Sequence, residues 1–276
     1  MANPKNKVLK FYKELPFNAY SSHDQMIRAI KNQNPLLLYP QLNKIIDKFN
    51  RIKVLDIGCG CGWFINSLNY YNNKVDCTGV DFNSKAVKFA NSVKDKLRLS
   101  NNFITKDLFK VNFKIKFDLI TSIGVLHHTE NLPLAIKKIS QLLKKDSYLF
   151  LGLYHKYGRK PFLDYFKNMK NKTDEYKFSK YKELHKTYLK DDVHIYSWFR
   201  DQVLHPHETQ HTFYEISKLL IKKGFEINST SINKFKKIKN LKHIYDEEKK
   251  YSDIAEKKLK SFQYFPGFFI IIAKKK

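Results

Sequence analysis

The 276-residue sequence predicts an α/β fold, a doubly wound and mostly parallel sheet with helices on both faces. Two observations predict it. Short apolar runs ending in an acid alternate with amphipathic stretches, the pattern of strand, crossover helix and next strand. The first such run, Val54-Leu55-Asp56-Ile57, feeds directly into the glycine-rich turn Gly58-Cys59-Gly60-Cys61-Gly62. Alternating glycines let a backbone take positive φ and approach a ligand closely. The amphipathic stretch from Trp63 to Tyr71 then aims a helix N-terminus at the turn, so this unit reads as a nucleotide-like ligand site.

The other elements follow in chain order. Residues 8 to 49 look helical, with Phe11-Tyr12 and Phe17-Asn18-Ala19-Tyr20 able to cover a ligand. Val75 to Asn83 is a strand with Asp81 at its tip, and Ser84-Lys85-Ala86-Val87 opens a helix behind an N-cap residue. In an open parallel sheet the ligand lies beyond the carboxyl ends of the strands, where Asp81 can accept both hydrogen bonds of a ribose diol. An acid at this tip fits a nicotinamide enzyme as well. Asn102 to Leu108 is strand three, with Asp107 at its end, and Phe117 to Thr129 is strand four, with His127 and His128 at its tip. Pro133 opens a helix with Leu134, Ile136, Ile139, Leu142 and Leu143 on one face; Lys144-Lys145-Asp146-Ser147 ends it, and Tyr148 to Tyr154 is strand five. Thr212-Phe213-Tyr214-Glu215 is a capping box that starts a helix, and Phe225 to Ser231 and Gly267 to Ala273 are the last strands.

Spacing narrows the ligand. A nicotinamide or flavin fingerprint reads G-x-G-x-x-G, whereas here Trp63 holds the position of the third glycine and Asp56 stands two residues before the first. This D-x-G-x-G-x-G pattern resembles motif I of the class I S-adenosylmethionine-dependent methyltransferases. Phe117-Asp118-Leu119-Ile120 through Val125-Leu126-His127-His128 resembles the F-D-x-V-x-x-x-x-V-L-H-H segment of the same family. The chain is similar to its type 11/12 domains over roughly 50 to 155 and 211 to 276. The resemblance implies a Rossmann-like sheet with an antiparallel last strand and S-adenosylmethionine as cofactor. It also implies cofactor contacts from Asp56, to the methionine amino group, from Gly58, Cys59, Gly60 and Gly62, from Asp81 and Phe82, from Asp107, to the adenine amino group, and from Leu108 and Ile123. Residues 50–276 are then the methyltransferase domain, behind a helical segment, 1–49, that covers the cofactor site.

Two insertions fall outside the shared fold. Residues 156–210 hang over the acceptor side as a substrate cap, since loops on a rigid scaffold shape binding pockets. They carry Trp198, Arg200, His205, His207 and Glu208, with His211 just beyond, as substrate-binding candidates. Residues 234–262 form a charged helix pair expected to cover the sheet edge. Methyl transfer from a sulfonium is an in-line displacement, so orientation and exclusion of water carry most of it. A general base facing the methyl group needs a pKa near neutral, which His127 or His128 at the tip of strand four fits by type and place. The resemblance implies that the second position lies nearer the acceptor and so favours His128, with Tyr154 and His155 at the end of strand five as the next candidates. No N/D-P-P-Y/F tetrapeptide follows strand four, which argues against exocyclic base N-methylation by that route.

His207-Glu208-Thr209-Gln210-His211 matches H-E-x-x-H, the spacing that places two imidazoles one helical turn apart around zinc. Pro206 precedes it and the capping box follows it, so the motif falls in a loop and a zinc peptidase is not the reading. No metal is expected; His205, His207, Glu208 and His211 are the candidate ligands for a metal-assisted alternative.

Composition bounds the partners. A net charge of +26 suits a nucleic-acid surface, and tRNA or rRNA methylation is the alternative function. Yet all but five of the 52 basic residues are lysines, spread along the chain, whereas phosphate and guanine readers favour the arginine fork. A solvated basic surface and a small-molecule or metabolite acceptor are the preferred reading, and the intact acid and glycine positions argue against a catalytically silent scaffold. The N-terminus lacks the apolar core of a signal peptide, no run is long enough to span a bilayer, and Cys59, Cys61 and Cys77 read as buried thiols in a reducing, cytoplasmic setting.

Overall fold

The computed structural model describes residues 4–185 and 191–276; residues 1–3 of the N-terminal segment and 186–190 of the first insertion lie outside the described residues. Four helices lead in: α1 (Pro4–Glu14), α2 (His23–Asn32), α3 (Pro35–Leu38) and α4 (Pro40–Ile46). Strands β1 (Ile52–Ile57), β2 (Val75–Asp81), β3 (Asn102–Thr105), β4 (Phe117–Ile123) and β5 (Leu143–Tyr154) alternate with α5 (Trp63–Tyr71), α6 (Ser84–Lys96) and α7 (Leu132–Leu142). The first insertion contributes α8 (Lys156–Lys167), α9 (Asp174–Leu184) and α10 (Asp192–Val203). The chain closes with α11 (Phe213–Lys222), β6 (Phe225–Thr230), α12 (Leu241–Glu248), α13 (Tyr251–Lys260) and β7 (Phe268–Lys275).

The strand order is β3-β2-β1-β4-β5-β7-β6, with β7 antiparallel to both neighbours and the other pairs parallel. Both faces are buried, so strand residues divide by alternation. Leu55, Ile57, Leu149, Leu151, Phe269 and Ile271 pack under α7 and α11, while Val54, Leu119, Phe150, Ile270 and Ile272 pack under α4 and α5. The order reverses between β1 and β4, which opens a crevice at their carboxyl ends.

Several boundaries differ from the sequence reading. β3 stops at Thr105, and Asp107 leaves the strand to cap a short 3-10 turn, accepting from the Phe109 amide at 2.9 Å. α7 runs straight into β5, because buried Leu143 pairs with Phe117 and draws Lys144 to Ser147 into the strand; Asp146, at φ 61°, marks the irregularity. The helix at Ser84 is capped by Asn83, while the Thr212–Glu215 capping box forms as expected. The second insertion lies deeper than its thin apolar stripe suggested. Ile244 and Tyr251 join the main core, and buried Glu248 accepts from the Phe213 and Tyr214 amides at the start of α11. The first insertion builds its own core from Phe162, Phe166, Tyr181, Leu184, Ile195 and Phe199. Among the described residues no helix is long and apolar enough to cross a membrane.

Gly58 has φ 76°, and a Cβ there would lie 2.5 Å from the Val125 methyls. Gly58→Ala should therefore cost about 2–3 kcal/mol from backbone strain and overlap together, read as a fall in Tm of roughly 5 °C or more. An unchanged melting curve would mean that the turn relaxes freely.

Candidate functional site

At the crevice the glycine turn, three strand tips and the N-terminal segment enclose a cavity with about 1030 Å³ of empty space, part of it open to solvent. Of the sequence-predicted cofactor positions, Gly58, Gly60, Asp81, Phe82, Asp107, Leu108 and Ile123 line it. Val8, Tyr12, Pro16 and Phe17 form its cover, so residues from both aromatic pairs of the N-terminal segment take part. A Cβ on Gly60 would meet nothing nearer than the Phe17 carbonyl oxygen at 3.7 Å, so the turn faces open space.

Asp81 stands at the tip of β2, where Oδ2 accepts from the Gly60 amide (2.9 Å) and Oδ1 from the Asn83 amide (2.8 Å). Burial raises its pKa and these amides oppose the rise. Three predicted positions are not in the lining. Asp56 is buried behind the turn, where its Oδ1 accepts from Thr121 Oγ1 at 2.6 Å and burial pushes its pKa up to about 7. Cys59 packs its sulfur toward Gly79, and Gly62, at φ 79°, caps α5 against Ala90 and Phe103.

His128 lines the same cavity. Backbone partners fix the tautomers here, because an amide only donates and a carbonyl only accepts. The Tyr154 amide donates to His127 Nδ1 (3.2 Å), so the His127 proton sits on Nε2 and is donated to His128 Nε2 (3.1 Å). His128 Nδ1 in turn donates to the His207 carbonyl (2.9 Å). The His207 amide donates to His205 Nδ1 (3.1 Å), which leaves the proton of His205 on Nε2, a buried atom with no hydrogen-bond partner among the described residues. Burial keeps all three rings neutral, lowering His128 to about 4, His205 to about 3 and His127 well below the ordinary value.

The remaining predicted residues divide by role. Tyr154 is buried beneath this cluster, its ring stacked on His127 at 4.1 Å and its hydroxyl donating to Asp201 at 3.3 Å. His155 lies outside the lining; its Nδ1 accepts from the Gly158 amide, so Nε2 donates to Glu248 (2.9 Å) in a fully buried structural pair. Trp198 and Arg200 tie α10 to the N-terminal segment: Trp198 Nε1 donates to Asn18 (3.2 Å), and Arg200 pairs with Glu14 (2.8 Å) and lies over the Phe11 ring.

The H-E-x-x-H residues sit in the loop before α11 and do not converge. Glu208 is held by Arg159 through Nε (2.9 Å) and Nη2 (2.6 Å), the His207 ring meets the Thr129 carbonyl at 3.4 Å, and His211 meets Thr209 Oγ1 at 2.9 Å. His205 instead approaches His128 and Asp201, with ligand-type atoms within 4.8 Å of one another. Of that set, Asp201 accepts from Tyr12 and Tyr154 and His128 Nε2 accepts from His127, whereas His205 Nε2 has no hydrogen-bond partner among the described residues.

Sequence reasoning missed Asp201 and Arg159. The available signal for Asp201 was helical spacing, since buried His194, Ser197 and Asp201 recur at i, i+3 and i+7 along α10. Arg159 left no local trace, because its partner Glu208 is 49 residues away.

A family model described as a methyltransferase domain matches residues 48–195. The chain is 28% identical over 140 residues to a ubiquinone biosynthesis O-methyltransferase of Pelagibacter ubique, covering 47% of this chain and 57% of that protein. It is 36% identical over 110 residues to N-methyltransferase 4 of Papaver somniferum, covering 37% of this chain and 30% of that protein. The match thus spans little more than half of the first relative and less than a third of the second. The fold is shared with magnesium protoporphyrin IX methyltransferase of Synechocystis, solved with bound SAM, at a TM-score of 0.56 and 16% identity, covering 100% of this chain and 99% of that one.

Proposed function

Because this chain belongs to the class I S-adenosylmethionine-dependent methyltransferase family, we propose that it binds S-adenosylmethionine in the crevice cavity and methylates a small-molecule acceptor. One observation carries the reading: the open glycine turn, Asp81 and His128 line the same cavity. When bound, S-adenosylmethionine supplies a methyl group activated on a positively charged sulfur.

The residues present fit that cofactor. Asp81 offers carboxylate oxygens to a ribose diol, the backbone at Gly58 and Gly60 leaves room for close approach, and Asp107 and Leu108 flank the adenine end. Tyr12 and Phe17 cover the cavity and exclude water, and Asn83 Nδ2 fastens this cover by donating to the Tyr12 carbonyl (2.8 Å). At the acceptor end His128 is the histidine in the lining, yet its low pKa and engaged Nε2 make it a weak base. Orientation of the acceptor, by His128 with His205 behind it, therefore carries more of the rate than proton removal does. The O- and N-methyltransferase relatives support a small-molecule acceptor, and the three buried free cysteines support a cytoplasmic location.

The test supplies S-adenosylmethionine with a labelled methyl group, the protein and an extract of its own cells. Label is expected in the acid-soluble fraction. Nuclease-sensitive label in the acid precipitate would replace the small-molecule reading with RNA methylation.

A further inference from the structure

We propose that Asp201 is the counter-charge of the cavity, favouring the cationic S-adenosylmethionine over its neutral product S-adenosylhomocysteine. The inference rests on the proposed cofactor. Asp201 projects from α10 and is 4% exposed. Each of its oxygens accepts a tyrosine hydroxyl, Oδ1 from Tyr12 (2.5 Å) and Oδ2 from Tyr154 (3.3 Å); burial raises the Asp201 pKa, and the Tyr12 hydrogen bond opposes that rise and favours the ionised carboxylate.

Among the described residues no lysine or arginine forms an ion pair with Asp201, and Arg159 acts on it through its charge alone. His128 approaches Oδ1 at 3.7 Å, but it is neutral and donates its proton to the His207 carbonyl. His205 is neutral as well, and the charge of buried Arg159 is met by both oxygens of Glu208. A buried carboxylate without a counter-ion is costly, so it stabilises any positive charge brought near it.

The cavity is where such a charge can arrive. Tyr12 and His128, the two side chains nearest the carboxylate on that side, both form the cavity wall, which places Asp201 one side chain behind it. Asp81 also lines the cavity, but backbone amides satisfy it, and its proposed partner is the ribose, in which cofactor and product are alike. Methyl transfer removes the positive charge from the sulfur. The same carboxylate that attracts the cofactor then has nothing to hold in the product, which favours exchange of one for the other. Asp201 is thus a positioning and specificity residue that acts through the wall.

The test is calorimetric titration of the full chain with S-adenosylmethionine, S-adenosylhomocysteine and sinefungin, an analogue with an amine near the sulfur position. The wild type is expected to favour the two cationic ligands by about tenfold, the scale of a unit-charge interaction screened by one intervening side chain. Asp201→Asn should lose that preference while holding S-adenosylhomocysteine within about twofold, and Asp201→Glu should keep it. Equal weakening of all three ligands by Asp201→Asn would show a merely structural role and overturn the proposal. Equal affinities in the wild type would overturn it without any variant. Failure of all three ligands to bind would remove the cofactor assignment itself, a result distinct from loss of the preference alone.

Discussion

Asp81→Ala is expected to weaken S-adenosylhomocysteine binding by on the order of 10²- to 10⁴-fold in calorimetric titration, the loss of two charge-assisted hydrogen bonds of about 1.5–3 kcal/mol each. The side chain does two things at once. It faces the cavity, and it anchors the glycine turn by accepting from the Gly60 and Asn83 amides. A comparison separates these roles. Asp81→Asn keeps an acceptor for one amide and loses the charge, so its Tm should stay closer to the wild type while its affinity still falls by more than about tenfold. Alanine should lower both. Retention of affinity within about threefold by the alanine variant would remove the ribose assignment and leave Asp81 as a turn anchor. Because burial raises this carboxyl above its ordinary value, and the bound ligand requires the anion, affinity should decline on acidification, beginning at higher pH than for an exposed aspartate.

What the sequence made legible is what local chemistry decides. The span of α5, the Thr212 capping box and the tip position of Asp81 each depend on residues within a turn or two of one another, and each formed as read. The end of β3 and the start of β5 were missed because pairing across the sheet decided them. Leu143 continues as strand because Phe117 is there to receive it. The acceptor end was the least legible region. Tyr12 and Asp201 are 189 residues apart, and the tautomers of His127, His128 and His205 follow from amides and carbonyls that the fold alone brings near. The H-E-x-x-H segment shows the same limit from the other side. Its local pattern is complete, yet a distant arginine decides what its glutamate does.

That arginine makes the second large effect. Arg159 is wholly buried, with its guanidinium 3.8 Å from the Tyr154 ring and 4.8 Å from that of Phe162, and it donates to Gln202 O (2.7 Å), Pro266 O (3.3 Å) and both oxygens of Glu208. Glu208→Gln leaves a buried cation without its counter-charge, a cost of about 3–5 kcal/mol that should appear as a fall in Tm of roughly 10 °C. Removing both charges, as in Arg159→Met with Glu208→Gln, should recover part of the loss, because the unpaired cation is gone while the orphaned carbonyls remain. Acid provides an independent check of sign. Burial would raise Glu208, but the Arg159 guanidinium holds it below the ordinary glutamate value, so its stabilisation is present above that value and is lost as pH falls through the depressed pKa. The wild type should therefore lose Tm below about pH 4, and Glu208→Gln should lose less over the same range. If Glu208 were instead free for chemistry at a metal, the glutamine variant would melt with the wild type and bind less zinc. A melting curve thus separates a structural ion pair from a catalytic glutamate before any acceptor is known.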